Sequence, residues 1–359
     1  MIYDDYAIFT PGPVKMSKEI LALGAQQTPY FRNSQFSNVV LRSEELILKM
    51  LNAPHGSRVI FLTASGTAGM ESVVMNLLTL KNNALVVNGG AFGQRFVDIC
   101  KSYKVPHRDF RVTNTNLSNI ENEINPGKFD TFIVNAHETS VGHLYDLNAI
   151  GSFCKKHNLF NIVDAISMFT TDEIDMQKHH IDAVIISSQK GLALPPGLTM
   201  VVLNPNALTK VQDVQSHYFN YKNYLKDGER GQTPYTPAVT IVLQLLERLE
   251  QIERDGGVVS TIKKAREISS YFREAIHDLP LDFYTNFMPN AMTTLTPTDS
   301  KNALTIVKRL ESDYKVIVCP NGGKLKETIF RVSHMGDMDE EYVDLLINAF
   351  QNYYGKITL

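Results

Sequence analysis

Cysteine is scarce in this sequence, and its few cysteines form no recognisable framework. Cys100, Cys154 and Cys319 lie far apart and share neither a Cys-x-x-Cys unit nor a Cys/His ligand spacing. The sequence therefore indicates neither a disulfide scaffold nor a zinc site. We expect no bound metal, and we expect reduced thiols of the kind found in a cytoplasmic protein.

The sequence also lacks an excess of charge and any long hydrophobic run. Its formal net charge is -3 and its charged residues of both signs are interspersed, so it has no basic stripe for nucleic acid and no acidic tail. No run approaches the roughly 18 apolar residues of a membrane helix. The first residues, MIYDDYAIFTPGP, lack the basic start and apolar core of a signal peptide. We therefore expect a cytoplasmic protein whose partner is a small molecule, with no nucleic acid and no membrane.

Short β-branched runs alternate with longer helical patterns between residues 58 and 203. This alternation predicts an α/β fold in which helices cover a mostly parallel sheet. Because the strands are almost continuously apolar, the sheet should be buried on both faces. The predicted strands are VIFLT (59–63), ALVVN (84–88), TFIVNA (131–136), NIVDA (161–165), AVIISS (183–188) and TMVVL (199–203).

The pattern changes after Thr236, where a long helical stretch runs to a Gly-Gly pair that has the form of a helix stop. A second helix is predicted from about Thr261 to His277. The rest of the chain indicates a smaller α+β domain, with strands at 291–297, 316–320 and 329–333 and helices near 301–313 and 339–352. We predict a large domain over 16–250 and a small domain over 251–359, on which residues 1–15 pack.

Ligands of open parallel sheets bind beyond the carboxyl ends of the strands, so the residues that follow each strand are the first candidates. Ser65, Gly66 and Thr67 follow one strand and open a helix, where backbone N–H groups and hydroxyls suit a phosphate. An ordinary capped helix start is the alternative. Phe92 follows two glycines after the next strand, and it either lies flat against an aromatic ligand or anchors a helix.

Three further strand ends carry polar side chains. His137, Glu138, Thr139 and Ser140 crowd one of them, where Thr139 can donate to a ring hydroxyl. Asp164 ends an apolar strand, and its carboxylate must be paired there; a protonated pyridine nitrogen is an effective partner, and a loop or helix cap is the alternative.

Lys190 lies just past another buried strand, behind Gln189 and ahead of a Gly/Pro loop. Partial desolvation lowers the pKa of a lysine and favours the neutral amine that can attack an aldehyde. A solvated loop lysine is the alternative, but the flanking residues make an exposed position less favourable. The combination of Lys190 with Asp164 carries more weight than either residue alone.

Eight segments in order resemble the motifs of the class V aminotransferases, which have pyridoxal-phosphate (PLP) fold type I. They are TPGPV, SGTAGMES, NGGAFGQR, HETSVG, VDAIS, SSQKGLALPPG, TPYTPA and FRVSHMG. The resemblance covers nearly the whole chain. It implies a large domain with a mostly parallel, seven-stranded type of sheet, a smaller C-terminal domain, and pyridoxal 5'-phosphate as the cofactor.

The resemblance also implies roles for individual residues. Lys190 would form the Schiff base, Asp164 would pair with the pyridine nitrogen, and Phe92 would stack on the ring. The remaining implied contacts are Thr139 near the ring hydroxyl, Ser65, Gly66, Thr67 and Gln189 at the phosphate, Thr236 reaching the phosphate from the neighbouring subunit, Arg331 on the substrate carboxylate, and Gly12 and Arg32 at the substrate. The position of Thr236 implies a homodimer with shared sites.

The expected reaction is a transamination in which Lys190 both anchors the cofactor and moves the α-proton. The leading donors are small amino acids such as alanine, serine or glycine, with pyruvate or glyoxylate as acceptor. The segment YFRNSQF around Arg32 departs from the family's His-Arg-Ser-Pro-Glu-Phe at Phe31 and Ser34, which leaves the donor open.

Four other functions remain as alternatives. A 2-aminoethylphosphonate–pyruvate aminotransferase is the nearest, and a PLP lyase would share Lys190 and Asp164 but need no acceptor. A cysteine desulfurase ranks low, because Gln189 stands where that branch has His and Cys319 lies at a predicted strand end. A cofactor-free interaction protein would make the five strand-end features incidental, which their density of buried polar groups disfavours.

Overall fold

The computed structural model describes residues 5–113, 117, 120–299 and 301–355. In chain order its strands are β1 (Ala7–Phe9), β2 (Arg58–Leu62), β3 (Ala84–Asn88), β4 (His107–Arg111), β5 (Thr131–Asn135), β6 (His137–Glu138), β7 (His143–Leu144), β8 (Phe160–Asp164), β9 (Ala183–Ser187), β10 (Thr199–Leu203), β11 (Leu281–Phe283), β12 (Met292–Pro297), β13 (Val316–Pro320) and β14 (Phe330–Ser333). Its helices are α1 (Lys18–Gly24), α2 (Ser34–Met50), α3 (Gly66–Leu77), α4 (Ala91–Ser102), α5 (Ile120–Glu123), α6 (Leu147–Lys156), α7 (Pro205–Thr209), α8 (Tyr221–Gly228), α9 (Val239–Arg254), α10 (Gly257–Ala275), α11 (Ala303–Tyr314) and α12 (Glu340–Gly355).

The large sheet has the order β2-β10-β9-β8-β5-β3-β4 within the described ranges. Its neighbours are parallel except at β10, which runs antiparallel to both β9 and β2. Every residue of β3, β5, β8, β9 and β10 is buried, because helices pack on both faces of the sheet. The predicted mixed α/β fold with a mostly parallel sheet is confirmed.

The strand β4 is absent from our sequence prediction. Its segment, HRDFR, buries only Phe110. The reason is its place at the edge of the sheet, where charged side chains are common and the alternation of a buried strand is lost. An edge strand of this composition carries too little apolar signal to be recognised.

The reversed direction of β10 determines at which edge of the sheet the strand β2 ends. Since β10 is antiparallel to both of its neighbours, β2 runs in the same direction as β9 and as the other parallel strands. The carboxyl ends of β2, β3, β5, β8 and β9 therefore meet at one edge of the sheet. These are the five strand ends that carry the polar residues of the sequence prediction.

The second sheet has the order β1-β13-β14-β12-β11 among the described residues. Its first strand comes from the amino-terminal segment: Ala7 is paired with Val316 in parallel, and the N–H of Ile8 donates to the Tyr342 hydroxyl at 2.7 Å. The strand β1 is only three residues long, so the sequence pattern did not reveal it. The proposed domain limits, 16–250 and 251–359 with 1–15, stay a prediction.

Along the chain, α9 and α10 follow the last strand of the large sheet and precede β11 of the second sheet. The start of α10 corrects our prediction. We expected the Gly-Gly pair to stop the first helix and the second to begin near Thr261. The first helix, α9, does end just before this pair, at Arg254, but Gly256, with φ +99°, is the cap of α10, which begins at Gly257 and not near Thr261. A left-handed glycine turns the chain within a single residue, so the second helix starts without an intervening loop.

Candidate active site

A cavity of about 160 Å³, here called the strand-edge cavity, lies at the edge where the five strand ends meet. Residues predicted from the sequence make up most of its lining: Gly12, Ser65, Gly66, Thr67, Phe92, Thr139, Asp164, Gln189 and Lys190. The remaining lining residues are Met70, Arg95, His137, Ile166 and Ser167. The predicted residues Arg32, Thr236 and Arg331 do not line it.

Lys190 follows β9, and its ammonium group donates to the carbonyl oxygen of Pro11. Gly12 allows this approach, because it has φ +124° and a Cβ in its place would lie 2.9 Å from both the Gln189 carbonyl oxygen and the Lys190 Cδ. Burial lowers the pKa of Lys190 to about 8, and the positive charge of Arg331 acts in the same direction. A fraction of the neutral, nucleophilic amine is therefore available near neutral pH.

Asp164 ends β8 with a carboxylate that is 6 % exposed. One oxygen accepts the N–H of Ile166 at 2.8 Å, and the other accepts the amide of Asn135 at 2.5 Å. Burial raises the pKa of Asp164 to about 6. In the described part of the chain no cationic nitrogen lies within 4.0 Å of it. A buried carboxylate held by two donors but by no cation fits a protonated ring nitrogen.

The turn at Ser65 opens α3, and its side chain makes no hydrogen bond to that helix. The first turn of α3 and the hydroxyls of Ser65 and Thr67 line the strand-edge cavity. An N-terminus that its own side chain leaves uncapped suits a phosphate. Gln189 is held nearby, because its side-chain oxygen accepts the Ser187 hydroxyl at 2.7 Å.

Together these groups fit pyridoxal phosphate. The cavity offers a lysine amine with a lowered pKa, a carboxylate in need of a cation, a phosphate-type turn and an aromatic side chain, Phe92. No group of three or more His, Cys, Asp or Glu in the described ranges is placed to hold a metal ion. None of the helices formed by those ranges is long and apolar enough to cross a membrane.

His137 is a lining residue that our site prediction did not include. Its Nδ1 lies 3.1 Å from the carbonyl oxygen of Ser167, and burial lowers the pKa of its ring to about 3. The ring is thus neutral, and since a carbonyl only accepts, Nδ1 carries the proton. Its Nε2 has no partner among the described residues. His137 therefore presents a hydrogen-bond acceptor to whatever the cavity holds.

Arg95 was also missed. Its guanidinium lies over the Phe92 ring at 4.7 Å and donates to the Thr67 hydroxyl at 2.9 Å. Arg95 thus connects the Phe92 side chain to the turn formed by Ser65, Gly66 and Thr67. The signal was present in the sequence, because residues three apart on a helix share a face and Arg95 is three positions after Phe92.

Glu138 determines how α4, and with it Phe92, faces the cavity. Its carboxylate is buried and accepts the N–H of Phe92 at 3.2 Å, the N–H of Gly93 at 2.8 Å and the Ser140 hydroxyl at 2.6 Å. It therefore caps the amino-terminal end of α4 from another strand end. Gly90 packs so closely against Glu138 that no side chain fits there: a Cβ on Gly90 would lie 2.8 Å from the carboxyl carbon of Glu138.

A Glu138→Gln variant is expected to loosen this cap and with it the position of Phe92. A neutral amide oxygen is a weaker acceptor, and the NH₂ group that replaces the other carboxylate oxygen can only donate, so either the Phe92 or the Gly93 N–H loses its acceptor. We expect kcat/KM to fall about tenfold, the equivalent of about 1.4 kcal/mol, together with weaker PLP binding measured by fluorescence titration.

Glu71→Gln is the matched control for that change, because Glu71 accepts the Tyr103 hydroxyl at 2.7 Å and does not line the strand-edge cavity. Equal losses in the two variants would mean that Glu138 has a general structural role and does not position Phe92.

Arg331 lies on β14 directly opposite Cys319 of β13. Its guanidinium donates to the carbonyl oxygen of Thr139 at 3.1 Å, to that of Pro320 at 3.0 Å and to the Cys319 sulfur at 2.9 Å. Its Nε is buried and has no partner in the described ranges. The second sheet thus places a cation against the wall of the strand-edge cavity, next to Thr139.

Arg32 and Thr236 lie outside the strand-edge cavity. The guanidinium of Arg32 donates to the carbonyl oxygens of Thr233 and Pro234, at 2.7 and 3.3 Å, and so holds the segment that leads to Thr236. Thr236 itself is exposed. Two residues further on, the N–H of Ala238 donates to the Thr63 hydroxyl at 2.8 Å, next to the phosphate-type turn. The roles we predicted for Arg32 and Thr236 stay predictions.

Comparisons with known proteins agree with this geometry. The family model for class V aminotransferases matches residues 18–310. An uncharacterized aminotransferase of Helicobacter pylori J99 is 28 % identical over 336 residues, which are 92 % of this chain and 88 % of that protein.

A 2-aminoethylphosphonate–pyruvate transaminase of Salmonella gallinarum is 25 % identical over 208 residues, which are 57 % of each chain. The crystal structure of an alanine–glyoxylate aminotransferase from Nostoc sp. superposes with a TM-score of 0.89 at 21 % identity, covering 97 % of this chain and 94 % of that one.

Proposed function

This chain belongs to the class V aminotransferase family and is a PLP-dependent transaminase, and we propose that it moves the amino group of a small amino acid to pyruvate or glyoxylate. Alanine and serine are the leading donors. The observation that carries the proposal is Arg331, a cation that faces Thr139 at the cavity wall with a buried and unpartnered Nε, as judged over the described residues. An α-carboxylate is the natural partner for such a group.

The size of the strand-edge cavity supports a short donor side chain. Its volume is about 160 Å³, and Gly12, Phe92 and Thr139 are among the residues that line it. A long side chain on the donor would have to displace the wall formed by Gly12, Phe92 and Thr139. We therefore favour donors with a methyl or hydroxymethyl side chain.

The chain's own residues divide the work of the reaction. When bound, PLP supplies an aldehyde for the amino group and a ring that accepts electron density. Lys190 holds and moves the proton at the donor's α-carbon, since its lowered pKa places the amine near neutrality. Asp164 keeps the ring nitrogen protonated, and Phe92 fixes the plane of the ring. Arg331 orients the donor through its carboxylate.

A second cavity favours one alternative donor class. It measures about 610 Å³, adjoins the Thr139–Ser140 backbone on the side of Gly90, and is lined by Asn321 and Lys324 among others. Asn321 also donates to the carbonyl oxygen of Ser140 at 2.8 Å. A lysine in this place suits a phosphonate, which supports 2-aminoethylphosphonate as the runner-up donor.

A matched pair of variants separates the two donor classes. If the donor is an α-amino acid, Arg331→Met should raise KM for alanine or serine at least tenfold, because a charge-assisted pair contributes about 1.5–3 kcal/mol, and Lys324→Met should change it less than twofold. If the donor is 2-aminoethylphosphonate, the order is reversed. Steady-state kinetics with alanine, serine and 2-aminoethylphosphonate, each with pyruvate and glyoxylate, measures this, and turnover of the phosphonate alone would overturn the first choice.

We also propose that the active site is shared in a cytoplasmic homodimer, with Thr236 reaching the partner's cofactor phosphate. The exposure of Thr236 and the contact of Ala238 with Thr63 support this arrangement. Sedimentation velocity of the holoenzyme tests it, and a monomer with full activity would contradict it.

A further inference from the structure

A cavity of about 120 Å³ lies where the large sheet, the helices α9 and α10 and the small sheet meet. We call it the junction cavity and define it by Thr170, Arg248, Lys264 and His334, which are among its lining residues. Gly191 lines it as well, directly after Lys190, and a Cβ on Gly191 would be 2.4 Å from the Thr170 hydroxyl. The two cavities are distinct, but residues of one loop line both of them: Lys190 lines the strand-edge cavity and Gly191 lines the junction cavity.

Arg248 brings a positive charge with a buried Nε to the junction cavity, and no carboxylate in the described ranges contacts it directly. Its Nε is buried, and within the described residues Arg248 makes no hydrogen bond and has no carboxylate oxygen within 4.0 Å. Arginine stays protonated in proteins, so this charge cannot be relieved by losing a proton. Burial lowers the pKa of Arg248, and Asp337 and Asp255 oppose this shift from a distance. Neither carboxylate touches the guanidinium, so the cavity beside it is where an anion can bind in direct contact.

The protonation of His334 follows from its neighbours. The Arg273 Nε donates to the Thr293 hydroxyl at 2.9 Å, and the same hydroxyl lies 2.7 Å from the His334 Nε2. If the hydroxyl accepted from both groups, its own proton would have no partner among the described residues, so the Thr293 hydroxyl donates to Nε2. Burial lowers the pKa of His334 well below its usual value, so the ring is neutral. Its one proton is therefore on Nδ1.

The junction cavity thus collects donors that have nothing to bind. His334 is 3 % exposed and Thr170 is 0 % exposed. The His334 Nδ1, the Thr170 hydroxyl and the Arg248 Nε all lack a hydrogen-bond partner in the part of the chain that the structure describes. Exposed Lys264 adds a second positive charge at the mouth of the cavity.

We propose that the junction cavity is a binding site for a small carboxylate monoanion, held by Arg248, His334 and Thr170. The charges of the wall favour a monoanion: Arg248 and Lys264 face Asp255 and Asp337, and because Asp337 also pairs with Lys15 at 3.6 Å, one positive charge is left for a single negative one. A dianion such as sulfate would be repelled by those two carboxylates. The volume of about 120 Å³ accommodates a molecule of the size of acetate.

Occupancy of this site would connect the two domains. The bound anion would contact the large domain through Thr170, the helix α9 through Arg248 and the small domain through His334. A ligand that binds the folded chain at such a junction raises its stability by mass action. The site is independent of which amino donor the enzyme uses.

The test is thermal unfolding of the PLP-loaded enzyme in sodium acetate, with sodium chloride and sodium sulfate at matched ionic strength as references. For the wild-type protein we expect acetate to raise Tm by about 2–4 °C over chloride, whereas sulfate, which is excluded from protein surfaces, should raise Tm equally in the wild-type protein and in Arg248→Met. The rise with acetate should persist in Arg331→Met, which removes the other candidate carboxylate site, and should be lost in Arg248→Met.

Three further variants keep the result interpretable. Arg254→Met removes an exposed arginine from the same helix, one that pairs with Glu247 at 2.9 Å, and it should keep the acetate effect. Thr170→Val, which replaces the hydroxyl with a methyl group, should weaken the effect severalfold even if Arg248→Met folds poorly. His334→Asn should likewise reduce it. An acetate effect that survives in Arg248→Met and Thr170→Val, or that disappears in Arg331→Met, would overturn the proposal.

Discussion

Replacing Lys190 with alanine is expected to abolish transamination and to remove the lysine-dependent visible absorbance of the bound cofactor. General acid–base catalysis alone contributes about 10²–10⁴-fold to a rate, and this variant also loses the covalent anchor. We therefore expect kcat to fall by at least about 10⁴-fold. Absorbance spectra before and after addition of alanine, together with single-turnover kinetics, measure both effects.

Two control variants identify the cause of that loss. Lys190→Arg keeps a positive charge but offers no nucleophilic amine, so it should be as inactive as the alanine variant. Lys178→Ala removes an exposed lysine that pairs with Glu173 at 2.6 Å, and it should leave the spectrum and the rate unchanged. A Lys190→Ala enzyme that retains the parent's spectrum and turnover would show that another residue holds the cofactor.

Asp164→Asn is expected to lower activity and to stabilise the cofactor-free protein. The loss of the charge opposite the ring nitrogen should lower kcat about 10²–10³-fold, as for other preorganised electrostatic contacts. In the cofactor-free chain the same charge opposes folding, because burial raises the pKa of Asp164 from 3.8 to about 6. The folded state therefore binds more protons than the unfolded state between these values, and stability falls as the pH rises through that window.

The gain in unfolding free energy of the variant over the cofactor-free parent should depend on pH. Above pH 6 the variant should exceed the cofactor-free parent in unfolding free energy by on the order of 2–3 kcal/mol, and the difference should shrink towards zero near pH 4. Urea unfolding of both cofactor-free proteins from pH 4 to pH 8 measures it. PLP should stabilise the parent more than the variant.

Asp172 provides a matched control for the stability of Asp164→Asn. It is another buried carboxyl whose pKa burial raises to about 6, and it does not line the strand-edge cavity. Asp172→Asn should share the pH-dependent gain in stability and keep the cofactor spectrum and turnover. If Asp164→Asn retains the parent's kcat, the pairing of Asp164 with the ring nitrogen is wrong.

The sequence was informative wherever a buried strand led into a polar residue. Asp164 and Lys190 were recognised because each follows an almost wholly apolar strand, and the structure brings them to one cavity. Their proximity follows from the parallel pairing of β8 with β9, whereas the turn at Ser65 reaches the same edge because β10 is antiparallel to both of its neighbours, a direction that the apolar run TMVVL does not reveal. A wholly buried strand has the same hydrophobic pattern in either direction, so the reversal of β10 could not be predicted from the sequence.

Contacts that depend on long-range packing could not be predicted either. Glu138 belongs to a strand end that we recognised, but its role as the cap of α4 requires the two strand ends to be adjacent in space. Arg331 likewise contacts Thr139, which lies in the turn after β6 and 192 residues away along the chain.

The pairing of β1 with β13 has a consequence for how this protein is made. Ala7 leaves the ribosome roughly 300 residues before its partner Val316, and at about 5–20 residues per second that interval lasts about 15–60 s. The small sheet cannot close until Val316 has been translated. Since Pro11, which accepts the Lys190 ammonium group, lies two residues after this strand, Lys190 gains a settled partner only after Val316 has been made.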